Sequence, residues 1–180
     1  MTDKSNLEIL NRIDLFFELF NNMRDLVFLT KVDSAENFSY VLANRPAKDL
    51  CGLTDESFGK PLNEVLPQKA YELIKSKYKD AMRKKEPITY EDQLIVPPSW
   101  ANLENYKYSP NQIIYWESTI TPVFNQHEAC THFLAIVRDI TDRRLKRKGV
   151  KENQPSKGTG KKYLPFLSIK KPAQYLERPR

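Results

Sequence analysis

The chain has 180 residues, 40% apolar and 29% charged, with a formal net charge of +6, a size and composition suited to one folded domain and a tail. No apolar run approaches the roughly 20 residues that cross a bilayer, the start Met1-Thr2-Asp3-Lys4 lacks a charged-then-apolar leader pattern, and Cys51 and Cys130 form no CxxC or metal-ligand spacing, so a cytoplasmic chain with reduced thiols is expected. Charge is divided unevenly: residues 143–180 carry 13 Lys/Arg against 2 Asp/Glu, and residues 1–142 carry 16 against 21, which separates a mildly acidic globule from a basic tail.

Residues 1–22 read as an N-terminal amphipathic helix. Leu10, Ile13, Phe17 and Phe20 recur three or four apart on one face, with Ser5 as N-cap and Glu8 completing a capping box. So apolar a helix needs a partner, its own domain or a second copy, and a homodimer through residues 5–22 is expected. Residues 23–142 read as the folded domain. Leu26 to Val32 and Phe38 to Ala43 are strands joined by a polar turn. Asn44 to Leu50 is a short helix stopped at Gly52, Gly59 and Pro61 mark a turn, and Leu62 to Leu66 is another short helix.

From Pro67 to Lys85 the 3.6-residue period returns, with Pro67 in the first turn, where proline is tolerated, and with Tyr71, Ile74, Tyr78, Ala81 and Met82 on one face and lysines on the other; those lysines read as a solvated surface that complements the helix dipole. Three strands follow, Ile88–Val96, Gln112–Phe124 and Thr131–Ile140. The first two are joined by a long segment with Trp100, Tyr106 and Tyr108, which suggests a packed flap. On the middle strand Ile114, Trp116, Ser118 and Ile120 share one side. Strands at both ends with helices between them suit an α+β fold, an antiparallel sheet with its helices on one face. Residues 143–180 read as a basic linker or tail without fixed order: Gly149, Pro155, Gly158 and Gly160 break any continued helix.

Several stretches carry a family resemblance. Val41-Leu42-Ala43-Asn44 through Leu50-Cys51-Gly52, Phe58-Gly59-Lys60-Pro61-Leu62, Trp116 to Val123, and Arg138-Asp139-Ile140-Thr141-Asp142-Arg143 stand in an order and spacing that resembles a PAS domain, the sensory module of many bacterial signalling proteins, over about residues 14–147. The resemblance implies a five-stranded antiparallel sheet in the order 2-1-5-4-3, helices packed across one face, and a small ligand held between them. It gives Asn44, Leu50, Gly52 and Gly59 structural roles. It makes Asp139, Ile140 and Thr141 the relay from the last strand into a linker helix and a signalling effector. Thr141 is expected to cap that helix through its hydroxyl.

Cofactor readings narrow from there. His127 and His132 lie off the long helix where haem-binding members carry their axial ligand, and the flavin-binding Asn-Cys-Arg-Phe-Leu-Gln stretch is missing, with Trp116 and Val137 where flavin-contacting amides are expected; haem and flavin are therefore disfavoured. The inward-facing candidates are Phe28, Val41, Tyr71, Ile74, Tyr78, Trp116, Ser118, Phe133, Ala135 and Val137, an apolar set suited to a small apolar ligand or simply to filling the core. No catalytic or metal constellation assembles: adjacent carboxylates such as Glu91 and Asp92 point to opposite faces of a strand.

The function expected is a non-enzymatic sensory or interaction module. Two alternatives are a basic-tail binder of nucleic acid or anionic membrane, and the sensor fragment of a truncated histidine kinase or diguanylate cyclase. The tail lacks a nucleic-acid reader motif, so no specific nucleic acid is expected and residues 143–180 offer at most a weak anionic-surface contact.

Overall fold

The computed structural model describes residues 2–98, 100 and 107–148. Of the tail expected over residues 143–180 without fixed order, residues 143–148 are helical; residues 149–180, and Tyr106 of the flap, lie outside the described residues. The elements are α1 (Thr2–Asn22), β1 (Leu26–Val32), β2 (Phe38–Ala43), α2 (Arg45–Cys51), a 3-10 turn (Asp55–Ser57), α3 (Leu62–Val65), α4 (Gln68–Lys84), β3 (Ile88–Ile95), β4 (Ile113–Phe124), β5 (Cys130–Asp139) and α5 (Thr141–Lys148). One antiparallel sheet runs β2-β1-β5-β4-β3, as the resemblance implied.

Alternation along the strands decides which face meets the helices. On β4 Ile114, Trp116, Ser118 and Ile120 are buried; on β5 Phe133, Ala135 and Val137 are; their neighbours are half-buried. From α4, Ala70, Ile74, Tyr78 and Ala81 reach the same core, and the two alanines let the helix backbone approach the sheet. Three rings lock the centre. Tyr78 stacks on Phe133 with centroids 4.2 Å apart and planes 1° from parallel, and Phe38 meets both edge-on. Aromatic pairs of this kind stabilise by about 1 kcal/mol beyond the area they bury. The Tyr78 hydroxyl is satisfied by Thr30 Oγ1 at 2.8 Å.

Gly52 and Gly59 hold left-handed backbone, with φ of 63° and 80°, which a Cβ disfavours. Gly52 ends α2, and Gly59 donates its N–H to the Tyr40 carbonyl, so each glycine turns the chain back onto the sheet. Leu50 packs half-buried against the core.

Four sequence expectations need correction. Val41 is not inward: it is 44% exposed. The register shifts between Leu29 and Thr30, where Leu29 pairs Leu42 and Thr30 pairs Tyr40. Val41 is the extra residue of that bulge, and Tyr40 takes the inward position. α1 starts at Thr2, upstream of the supposed Ser5 cap. Pro67 is the N-cap of α4 rather than a first-turn residue. Thr141 does not cap α5 through its hydroxyl, which instead accepts from the backbone N–H of Tyr115 on β4.

Candidate functional site

The inner face of the sheet and the helices enclose a small cavity walled by Phe28, Tyr40, Cys51, Leu53, Leu66, Ile74, Tyr78, Tyr90, Ser118, Ile120, Ala135 and Val137. Six of the sequence candidates meet there: Phe28, Ile74, Tyr78, Ser118, Ala135 and Val137. The other four do not. Val41 points out, Tyr71 is half-buried under Lys75, whose Nζ lies 5.5 Å from its ring centroid, and Phe133 and Trp116 sit within the packed core. Of the wall residues the sequence reading missed, Tyr40 was hidden by the bulge. Tyr90 was legible only through its register with Ser118. Leu53 and Leu66 lie in connections that carry no period.

The empty space is about 30 Å³, room for about one water molecule. The walls are apolar apart from three phenols, a thiol and a serine. Burial pushes the Cys51 thiol up to about 12 and the Tyr90 phenol up to about 12, and raises Tyr40 and Tyr78 as well. Cys51 is therefore a neutral packing group, not a nucleophile.

These shifts fix the alkaline stability. Each group is neutral in the fold and ionises more readily once unfolded, from ordinary values of 9.0 for the thiol and 10.0 for the phenols. The stability is present in full below pH 9 and is lost as pH rises through about 12. A urea midpoint that falls steadily over that window, with the buried phenolates appearing at 295 nm only as the chain unfolds, is expected.

The corner after β5 is the second feature. The Asp139 carboxylate accepts from the Thr141 N–H at 2.9 Å, the Ile140 N–H donates to the Tyr115 carbonyl at 2.9 Å, and Tyr115 N–H donates to Thr141 Oγ1 at 2.9 Å. Both backbone groups of one β4 residue thus hold the start of α5. From the flap, Lys107 Nζ lies 3.4 Å from Asp139 and 3.3 Å from Asp142. Arg143 pairs with Glu117 and Arg144 with Glu91, so the first turn of α5 is pinned along β3 and β4. Ile140 and Thr141 are buried.

Beside this corner, at the start of β1, Arg138 makes a two-nitrogen contact with Asp25, the closest at 2.7 Å. The Asp25 carbonyl is held by Asn44 Nδ2, while Asn44 Oδ1 accepts from Val27 and Ala47 N–H. Asn44 is fully buried. Among the described residues no group of three or more His, Cys, Asp or Glu could hold a metal ion, and no helix is long and apolar enough to cross a membrane.

Comparison with known proteins agrees with this geometry. The family model described as PAS fold matches residues 20–145. The PAS domain of a protein from Colwellia psychrerythraea is similar at 20% identity and a TM-score of 0.50, covering 73% of this chain and 98% of that one. A sensory box sensor histidine kinase structure from Vibrio cholerae is 17% identical over 77% of this chain and 98% of that one, at a TM-score of 0.48. The PAS domain of an HTR-like protein from Haloarcula marismortui is 16% identical, with 76% and 98% coverage and a TM-score of 0.48. No curated protein matches the chain significantly. The matched model spans most of the chain, its sheet order is that of the fold, and the chain belongs to the PAS fold family, sensory and interaction modules of signalling proteins.

Proposed function

We propose that this chain is a non-enzymatic PAS sensor that pairs with a second copy through α1, takes a small apolar ligand between sheet and helices, and passes the change through Asp139, Ile140 and Thr141 into α5 and a signalling effector. One observation carries the reading. The helix that would pair and the helix that would report are joined by a single polar chain, because α1 runs directly into Asp25, Asp25 pairs with Arg138, and Arg138 precedes the Asp139 corner. A shift of β5 against β1 is felt at both helices.

The pairing reading is supported by what α1 leaves uncovered. Of its described side chains between Asn6 and Phe20, only Phe20 is buried, while Ile9, Leu10, Ile13, Phe16 and Phe17 are exposed on one broad stripe. Phe16 stacks on Phe20 with centroids 5.8 Å apart, joining the stripe to the domain. Contiguous exposed apolar stripes mark interaction surfaces. The polar ends suit a reporter of either sign of movement, because exposed ion pairs such as Arg138–Asp25 contribute only about 0–1 kcal/mol and exchange readily.

In the full chain, replacing both Ile13 and Phe17 with Glu is expected to halve the mass measured by light scattering and to raise amide exchange in α5. A variant of unchanged mass would remove the pairing part of the proposal. A monomer with unchanged α5 exchange would remove the link between pairing and output.

A further inference from the structure

Three shielded side-chain polar atoms have no hydrogen-bond partner among the described residues: Arg144 Nε, and two, Asp92 Oδ2 and Trp116 Nε1, that belong to the same rung of the sheet. Asp92 on β3 and Trp116 on β4 are direct cross-strand partners. Trp116 is 5% exposed with its indole N–H unpaired, and Asp92 Oδ2 is equally shielded and unpaired, while its Oδ1 accepts from the Gln93 N–H at 2.7 Å. Directly opposed residues share a face, and Trp116 is on the buried one. The adjacent rung on that face, Tyr90 with Ser118, lines the cavity; two residues along a strand put it roughly 7 Å away.

An acceptor and a donor left open on one rung are rare inside proteins and call for an occupant. Asp92 has no ion-pair partner among the described residues, and burial raises its carboxyl above the ordinary range. The chemistry narrows what could fit. A carboxylate would be repelled by Asp92, an ammonium ion would leave the indole N–H unpaired, and a hydrocarbon would leave both atoms unpaired. A carboxamide presents an N–H beside a carbonyl oxygen and satisfies both.

We propose that the Asp92–Trp116 rung is the polar anchor of the cavity and selects a small aromatic carboxamide, whose N–H donates to Asp92 Oδ2, whose carbonyl accepts from Trp116 Nε1, and whose ring extends towards Tyr90 and Ser118. This deepens the ligand-site reading above and rests on it. The present opening of about 30 Å³ is smaller than one aromatic ring, so binding requires the tyrosine walls to move and association is slow.

The test uses the full chain labelled with nitrogen-15, in which Trp100 and Trp116 give the two indole N–H resonances, assigned with Trp116→Phe. Benzamide is the probe, with benzoate and toluene as comparisons. Benzamide is expected to move the Trp116 resonance saturably, and to bind at least about tenfold more tightly than either comparison, a difference of about 1.4 kcal/mol. Asp92→Leu and Trp116→Phe, each checked for an intact fold by its thermal transition, are expected to lose at least that factor. If toluene binds as tightly as benzamide, the apolar ligand site stands and the anchor is overturned. If none of the three binds and the Trp116 N–H shows contact with a long-lived water, the rung is a hydration site, and both the anchor and the ligand reading fall.

Discussion

Asn44→Ala is expected to destabilise the domain by about 3 kcal/mol, the largest loss from any single polar substitution. Asn44 is fully buried and holds three backbone groups, the N–H of Val27 and of Ala47 and the carbonyl of Asp25. A typical buried hydrogen bond contributes about 1 kcal/mol, and an orphaned buried partner costs about 1–3 kcal/mol. Asn44 is also the N-cap of α2, a position where Ala typically costs about 1 kcal/mol; these contributions overlap and do not add in full. Asn44→Asp separates them. It keeps the acceptor for Val27 and Ala47 but leaves the Asp25 carbonyl facing a carboxylate, so it is expected to fall between wild type and Ala in a urea titration. Equal stability of all three proteins would show that the hub contributes nothing.

Asp139→Ala is expected to do the reverse, leaving the fold and releasing its output. Global stability should fall by no more than about 1 kcal/mol, because the substitution removes one hydrogen bond to the Thr141 N–H and a contact from the half-exposed Lys107. The effect on α5 should be larger. The first turn loses the carboxylate that fixes the corner, and Tyr115, the Lys107–Asp142 pair and the pairs of Arg143 and Arg144 are left to hold it. Amides of α5 are expected to exchange at least about tenfold faster, a local opening cheaper by about 1.4 kcal/mol.

The sheet order was legible in the sequence only through the family resemblance, while strand limits to within a residue and the buried faces of β4 and β5 were legible because they follow from alternation. The cavity was half legible for the same reason. Ser118, Ala135 and Val137 keep a strict two-residue period, whereas Tyr40 lies beside a bulge that shifts the period and makes Val41 look inward. A bulge leaves no local mark in Phe38-Ser39-Tyr40-Val41-Leu42-Ala43; it exists only in the pairing with β1. Phe133 and Tyr71 show a second limit. Periodicity says which face a side chain takes, not whether it lines a space or fills one, and the stacking of Phe133 on Tyr78 is a tertiary event. Thr141 shows a third. Its hydroxyl is as suited to a helix cap as to a neighbouring strand, and the proximity of Tyr115, 26 residues earlier in the chain, decides it. The Asp92–Trp116 rung was beyond reach for the same reason, since it is defined by a register between strands and by partners that are missing.

The corner as a mechanical link between sheet and α5 is tested most directly by amide exchange mapped residue by residue in the full chain, wild type against Asp139→Ala. The account predicts unchanged protection in β1, β4 and β5 and accelerated exchange from Arg144 through Lys146, the amides that follow the Thr141 turn. Equal protection of α5 in the two proteins, or loss of protection across the whole sheet, would contradict it: the first would leave Asp139 without a hold on the helix, and the second would make the corner a part of the fold alone.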